Sequence, residues 1–197
     1  MIKKVLALLA VASVAVAGTE VTPYIGLGVG YGALNDSTIK ANGVEQPKST
    51  YDDGMAFEAL VGVKLDKGVE TLPLRVEGAF SYQSNDDDMG DEVRVMTLMG
   101  NAYLDFFPRC KINPYIMGGV GAANIEGTVG ASEKHDENSF VGQVGAGIGY
   151  YLTEHVVLDL KYKYLMTNQY KYRDSLGNEL DVIIDCHNLL FGVRYEF

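Results

Sequence analysis

Apolar and polar residues alternate with a period of two along most of this chain. In the segment 156–167, VVLDLKYKYLMT, every second residue is apolar, and the residues between them include an aspartate and two lysines. Such alternation gives a β-strand one apolar and one polar face. No comparable stretch sustains the period of an amphipathic helix. The pattern predicts eight strands, at residues 22–33, 55–65, 72–83, 93–107, 113–125, 139–152, 156–167 and 186–197.

The segments between these predicted strands alternate in length. Long segments occupy residues 34–54, 84–92, 126–138 and 168–185, whereas short ones occupy 66–71, 108–112 and 153–155. Short connections suit tight hairpins. Long loops at one end and short turns at the other are typical of an up-and-down barrel in an outer membrane. We therefore predict an all-β fold, an eight-stranded antiparallel up-and-down transmembrane β-barrel.

The first residues have the pattern of an export signal. Two lysines at positions 3 and 4 precede an apolar run over 5–14, and Ala15 and Ala17 form an A-x-A cleavage site. We predict a signal peptide at 1–17 and a barrel domain at 18–197. The alternative, an uncleaved membrane anchor, is disfavoured because the apolar run is shorter than the ~20 residues that a spanning helix needs.

Alternation alone does not decide which face of each strand points inward, because a water-soluble barrel buries its apolar face and a membrane barrel exposes it to lipid. Aromatic residues near the predicted strand ends favour the membrane case, since such residues gather at lipid–water interfaces. These are Tyr24, Tyr150, Tyr151, Tyr162, Tyr164, Tyr195 and Phe197. The export signal and the terminal aromatic favour the same assignment.

With the polar faces inward, a balanced set of charged residues points into the lumen. The five anions are Glu58, Glu77, Asp105, Asp159 and Glu196, and the five cations are Lys64, Arg75, Lys161, Lys163 and Arg194. An eight-stranded barrel is only wide enough for its own side chains, and buried charges require partners. We interpret the set as a polar core that plugs the lumen. The alternative is a gated ion path in which a switching pair opens a small pore.

Glycines recur on one face of two predicted strands. They are Gly26, Gly28, Gly30 and Gly32 in the first strand, and Gly145, Gly147 and Gly149 in the sixth. Glycine within a strand permits close approach of other groups. We expect these rows to make room for the arginines and lysines of strands 72–83, 156–167 and 186–197. The stretch GLGVGYG lacks the G-x-G-x-x-G spacing of a dinucleotide site.

Composition restricts the chemistry further. The formal net charge of −10 argues against nucleic acid as a partner, since phosphate binding requires a basic surface. The acidic segment NDDDMGDE does not match a calcium loop, and weak divalent binding is the alternative to a simply solvated loop. His135, His155 and His187 are dispersed, with only Ser132 and Ser139 near a histidine. We predict no catalytic residue, metal site or cofactor; an outer-membrane enzyme is the less favoured alternative.

The two cysteines fall at opposite ends of the predicted barrel. Cys110 lies in a short turn and Cys186 at the loop end of the last strand. A spanning strand of ~9–11 residues separates these levels, whereas a disulfide requires Cα atoms within ~7 Å of each other. The predicted topology therefore excludes an intrachain disulfide.

Three stretches carry a resemblance to the OmpA-like and Opa-like family of outer-membrane β-barrel domains, often called small porin-family barrels. They are NAYLDF with KINPYIMGGVGAAN, GAGIGYYLTEHVVLDLKYKYL, and the terminal GVRYEF. The last is similar to the C-terminal signal read by the barrel-assembly machinery, carried here by Gly192, Tyr195 and Phe197. The resemblance covers about residues 20–197 and implies a bacterial outer-membrane location.

Two functions from different classes follow from the sequence. The first is a structural or surface-interaction protein, whose rigid barrel serves envelope integrity or adhesion and presents loops to a host or cell-surface ligand. The second is a small-solute or ion pore. In either case the expected surroundings are outer-membrane lipid and lipopolysaccharide, with the assembly machinery as a transient partner.

Overall fold

The computed structural model describes residues 21–34, 40–41, 44–45, 54–65, 73–86, 92–107, 110–129, 133–167, 170–173, 179–182 and 185–197. The predicted signal peptide, with Ala15 and Ala17, lies outside these residues. The strands are β1 (Val21–Leu34), β2 (Lys40–Ala41), β3 (Val44–Glu45), β4 (Gly54–Leu65), β5 (Leu74–Asp86), β6 (Glu92–Asp105), β7 (Ile112–Val129), β8 (Glu133–Tyr151), β9 (Val156–Thr167), β10 (Tyr170–Arg173), β11 (Glu179–Val182) and β12 (Asp185–Glu196).

Eight of these strands form a closed antiparallel barrel. The order around it is β1, β12, β9, β8, β7, β6, β5 and β4, and β4 pairs with β1 to complete the ring. The first and last barrel strands are registered from Tyr24 opposite Glu196 to Leu34 opposite Cys186. Closure leaves no unpaired sheet edge around this ring, as a strand structure in lipid requires. The predicted fold is confirmed.

The hairpin of β7 and β8 is longer than the sequence pattern predicts. Its ladder continues to Val129 opposite Glu133, so most of the predicted loop 126–138 is strand. By contrast, the pairing of β8 with β9 stops at Val141 opposite Thr167. The hairpin thus extends past β9, and the sequence of this extension has no row of alternating apolar residues, which is why the pattern predicts a loop there.

A second sheet lies within the two longest predicted loops. It has four short strands in the order β10, β11, β2 and β3. Leu180 pairs with Ala41, which joins the segment after β9 to the segment after β1. Strands of two to four residues are too short for alternation to show in the sequence, and the pattern missed them.

The barrel has an apolar outer face and a polar interior. Leu27, Leu98 and Phe140 point outward with 69%, 62% and 62% of their surface exposed. The outer face is otherwise formed by residues of the same kind, among them Ile25, Phe57, Phe80, Ile116, Val144, Leu160, Leu189, Phe191 and Val193. This arrangement suits hydrocarbon outside the barrel and polar contacts within it. Among the described residues, no helix is long and apolar enough to cross a membrane.

Two of the aromatic residues expected at the lipid interface point into the barrel instead. Tyr24 is fully buried, and its hydroxyl donates to Glu77 Oε2 over 3.1 Å. Tyr151 is half-buried and donates to Glu196 Oε1 over 3.4 Å. The interface assignment is therefore wrong for these two. A tyrosine combines an apolar ring with a polar tip, so its position near a strand end does not identify its face.

Candidate functional site in the barrel lumen

The ten charged residues that alternation assigns to the lumen are all buried in the barrel interior. We call them the charged layer; it comprises Glu58, Lys64, Arg75, Glu77, Asp105, Asp159, Lys161, Lys163, Arg194 and Glu196. Their exposed fractions range from 1% for Arg75 to 9% for Lys64. Each one has at least one oppositely charged partner within ion-pair distance.

Lys161 on β9 links opposite walls of the barrel. Its ammonium lies 2.7 Å from Glu58 Oε1 on β4, and it donates to Tyr103 Oη on β6 over 3.1 Å. Glu58 also accepts from Lys163, so one carboxylate holds two lysines. Strand β9 is separated from β4 by two strands and from β6 by two others. These contacts therefore cross the lumen.

Arg75 forms the most enclosed ion pair. Its Nε and Nη2 donate to the two carboxylate oxygens of Asp105 over 2.8 and 2.9 Å, and both side chains are 1% exposed. The guanidinium carbon lies 4.4 Å from the ring centre of Tyr103 and 4.7 Å from that of Tyr115. Bidentate pairing and contact with aromatic faces both suit arginine better than lysine.

Glu77 is held mainly by neutral donors. It accepts from Tyr24 over 3.1 Å, from Tyr103 over 2.6 Å and from Asn101 over 3.3 Å. Its nearest cation, Lys161, is 3.9 Å away. The sequence pattern predicts that Glu77 points inward, but it does not predict these donors. Alternation places Tyr103 and Asn101 on the inward face of their strand without indicating that they bind Glu77.

Arg194 and Lys64 complete the charged layer near the turn end, where β6 ends and β7 begins. Arg194 Nη1 lies 3.4 Å from Asp159 Oδ2, and Arg194 Nε lies 3.2 Å from Glu196 Oε1. Lys64 lies 3.5 Å from Glu196 Oε2 and donates to Tyr151 Oη over 3.4 Å. Glu196 thus joins the last barrel strand to β4.

A cluster of apolar side chains lies on one side of the interior nearer the loop end, where β7 gives way to β8. We call it the apolar layer; it comprises Met99, Ala123, Val141, Leu165 and Cys186, each at most 5% exposed. The sequence pattern missed it. Each of these residues is an apolar exception on the otherwise polar inward face of its strand, so it only makes the alternation less regular. The five residues belong to five different strands, and they come together only through the register of those strands.

The interior glycines make room chiefly for neutral side chains. A Cβ at Gly147 would lie 2.5 Å from Tyr115 Cζ, and one at Gly32 would meet the side chains of Gln83 and Asn188. A Cβ at Gly145 would lie 3.1 Å from Met117 Cγ. The expectation that these rows accommodate lysine and arginine is therefore wrong for most of them. Of the glycines in the two rows, Gly149 has an arginine atom among its nearest neighbours: a Cβ there would lie 3.7 Å from Arg194 Nη2.

The remaining candidate residues lie outside the lumen or apart from one another. His155 is in the exposed turn before β9, whereas His187 is on the outer face and hydrogen-bonds Tyr162 Oη over 2.6 Å. Cys110 is exposed in the turn after β6, and Cys186 is buried near the other end; both are free thiols. His135 has a described backbone only. In the described part of the chain, no group of three histidine, cysteine or acidic residues could hold a metal ion.

The proposed assembly-signal residues lie on the last strand and just after it. Tyr195 and Phe197 are exposed on the outer face, with ring centres 5.2 Å apart. Gly192 faces inward, opposite Gly28. Their role in assembly stays a prediction.

A family profile described as "Outer membrane protein beta-barrel domain" matches residues 5–197, nearly the whole chain. The chain belongs to this family. The protein is thus a bacterial outer-membrane barrel, and both the predicted family and the predicted location are confirmed.

Among curated proteins, this outer-membrane barrel is similar to outer membrane protein PagN of Salmonella typhimurium. They are 25% identical over 158 residues, which cover 64% of this chain and 66% of PagN. An uncharacterized protein of Brucella abortus is 29% identical over 153 residues, covering 62% of this chain and 52% of that protein. The matches thus span between half and two thirds of the relatives' length.

Among solved structures, the barrel is similar to Neisserial surface protein A, with a TM-score of 0.63 and 15% identity over 90% of this chain and 99% of that one. It is also similar to a major outer membrane protein of Thermus thermophilus, with a TM-score of 0.58 and 13% identity over 90% and 100% of the two chains. OprG of Pseudomonas aeruginosa gives a TM-score of 0.55 and 15% identity over 89% and 96%. At these identities the likeness shows the fold alone.

Proposed function

We propose that this outer-membrane barrel is a structural and surface-interaction protein, serving envelope integrity or adhesion, with a lumen plugged by its own side chains. The observation that carries the proposal is the contact of Lys161 with Glu58 on one wall and Tyr103 on the other. A conducting path would have to break these contacts, and separating a buried ion pair costs several kcal/mol. The apolar layer supports the same conclusion, because a solute would also have to pass it and the polar side chains buried toward the same end, among them Gln83, Thr97 and Gln143.

The loop end carries the structures that would meet an external ligand. The β7–β8 hairpin extends to Val129 and Glu133, and the four-stranded sheet stands on the segments after β1 and β9. Strand pairing satisfies backbone hydrogen bonds of these segments within the protein itself. We propose that a host or cell-surface ligand binds through them, while the apolar outer face contacts outer-membrane lipid and lipopolysaccharide. The assembly machinery would read Gly192, Tyr195 and Phe197.

We also propose that the barrel has no catalytic role. The support comes from the positions of the described histidines. His155 lies in the turn before β9 and bonds the backbone oxygen of Glu196 through Nδ1 over 2.9 Å. His187 lies toward the opposite end and bonds Tyr162. Acid–base catalysis of hydrolysis needs a nucleophile or activated water within hydrogen-bond reach of such a base. The Nδ1 atoms of these two histidines are instead bonded to a backbone oxygen and to a tyrosine hydroxyl.

The proposal is tested by removing the loop structures while keeping the barrel. In one variant a short turn replaces residues 168–184, and proper folding is verified by the faster gel migration of unboiled protein. Cells expressing the variant are expected to bind plain polystyrene and epithelial monolayers less than cells expressing the parent barrel. Unchanged binding together with unchanged detergent resistance would contradict a surface role.

A second arm addresses the lumen. Proteoliposomes containing the parent barrel are expected to swell in arabinose no faster than protein-free liposomes. Faster swelling would favour the pore alternative.

A further inference from the structure

A hollow opens on the outer face of the barrel, across the neighbouring strands β1, β4 and β5. Its volume is about 280 Å³, and its exposed wall is apolar. Ala59 on β4 lies opposite Leu27 on β1 and opposite Phe80 on β5, so a methyl group stands between two large side chains. Leu27 and Phe80 point outward with 69% and 48% of their surface exposed. We call this space the Ala59 hollow; the outward side chains that line it are Leu27, Val29, Phe57, Ala59, Phe80 and Tyr82.

The depth of the Ala59 hollow places it in the half of the hydrocarbon nearer the loop end. Val21, Leu65 and Leu74 form one row at the turn end of its three strands. Counted from this row, the residues that line the hollow are the seventh to the ninth of each strand. A spanning strand has about 9–11 residues, so these positions belong to the outer half of the span. Tyr82, the ninth residue of β5, brings a phenol to the level expected of the outer lipid interface.

Three kinds of occupant are available to an apolar hollow in a membrane protein, namely water, another protein and a lipid chain. Water needs polar partners, and the apolar wall offers it none. Protein surfaces that pack closely within membranes are rich in small residues, whereas the rims here are a leucine and a phenylalanine. A lipid chain is narrow enough to pass between these rims. Its methylene groups are each similar in size to a water molecule, about 30 Å³, so the hollow has room for several of them.

We propose that the Ala59 hollow binds one acyl chain of lipid A, the membrane anchor of lipopolysaccharide. Such binding depends on the proposed contact of the outer face with lipopolysaccharide, to which it gives a place. The long loops of an outer-membrane barrel face away from the cell, and lipopolysaccharide is the principal lipid of that leaflet. Because lipid tails are as apolar as leucine, the preference comes from van der Waals contact and not from the hydrophobic effect. The saturated chains of lipid A can lie straight along Phe57 and Phe80, whereas a kinked chain loses part of this contact.

Quenching of tryptophan fluorescence by brominated lipid tests the proposal, because the chain contains no tryptophan of its own. Phe80→Trp puts a reporter at the rim of the hollow. Leu160→Trp is the matched control, since β9 lies across the barrel from β5 and the exposed fractions are 49% for Leu160 and 48% for Phe80. Each variant is refolded in vesicles of brominated phosphatidylcholine, and unbrominated lipid A is added stepwise. Relief of quenching is expected at a several-fold lower mole fraction of lipid A for Phe80→Trp than for Leu160→Trp.

Two further arms identify what relieves the quenching. Unbrominated phosphatidylcholine should relieve both reporters alike, because it has the same headgroup as the brominated lipid. Ala59→Phe fills the hollow, so in the Phe80→Trp background it should raise the required mole fraction of lipid A to that of the Leu160→Trp control. Ala102→Phe adds the same ring to the outer face of β6, outside the lining of the hollow, and should leave the preference unchanged.

The outcomes separate the acyl-chain site from the broader lipid contact. Equal relief in the two reporters, an equal preference for unbrominated phosphatidylcholine, or a preference that Ala59→Phe leaves intact would overturn the site while the outer face still contacts lipid. A Phe80→Trp reporter that brominated lipid fails to quench, beside a quenched control, would show a second protein copy over the hollow and would also overturn the site. Absence of quenching in both reporters would contradict the proposed lipid contact and the site together.

Discussion

Replacing Arg75 by methionine should produce one of the largest losses of stability available to a single substitution in this barrel. Methionine keeps much of the side-chain length, but it removes both hydrogen bonds to Asp105, whose side chain is 1% exposed. The carboxylate is then buried without its cation. Breaking a buried pair in this way typically costs about 3–5 kcal/mol, a large part of the ~5–15 kcal/mol that holds a domain folded.

The measurement is urea unfolding of the protein refolded in lipid vesicles. Folded protein is followed by gel mobility and by tyrosine fluorescence, which suits a chain with 13 tyrosines and no tryptophan. The double variant Arg75→Met with Asp105→Leu should lose less than the single variant, because no unpaired charge remains. Lys64→Met should also lose less, since its pair with Glu196 is longer at 3.5 Å and its side chain is 11% exposed. A single-variant loss below about 1 kcal/mol, or a double-variant loss equal to the sum of the two single losses, would refute the reasoning.

Three further predictions concern the interior. Gly147→Ala should lower the urea midpoint, because its Cβ would lie 2.5 Å from a buried tyrosine ring, whereas the outward Gly118→Ala should not; equal effects would contradict the packing described. A water-soluble maleimide should label Cys110 in the folded barrel and Cys186 only after unfolding, as mass spectrometry of the peptides can establish; labelling of both in the folded state would count against a buried apolar layer. Glu58→Gln should destabilise the barrel by removing the carboxylate that two buried lysines share, and an unchanged midpoint would argue against that shared contact.

The placement of the charged layer could be predicted because alternation at period two assigns each residue to a face, and the membrane setting decides which face is inside. Lys161 and Glu58 both follow from that rule. Their contact does not, because it joins positions 103 residues apart across the lumen. Pairing of this kind depends on barrel closure and on strand register, which no local pattern encodes.

The failures have physical reasons as well. Its aromatic ring and its position near a strand end predict that Tyr24 lies at the lipid interface, yet its hydroxyl reaches a buried carboxylate. The shared inward face of the glycine rows and the long cations predicts that they pack together, yet Gly147 leaves space for the Tyr115 ring. The sequence correctly predicts that Tyr24 lies near a strand end and that Gly147 faces inward. It does not predict which residue of another strand each one contacts.

The central claim, a lumen closed by its own side chains, is tested most directly by planar-bilayer recording of the refolded barrel. The account predicts that insertion of parent protein, verified by recovery of the unboiled gel form from the same preparation, leaves the bilayer current at its protein-free level. Brief transient openings would leave the time-averaged current near that level. Steady open currents that scale with the amount of inserted protein would contradict the closed lumen.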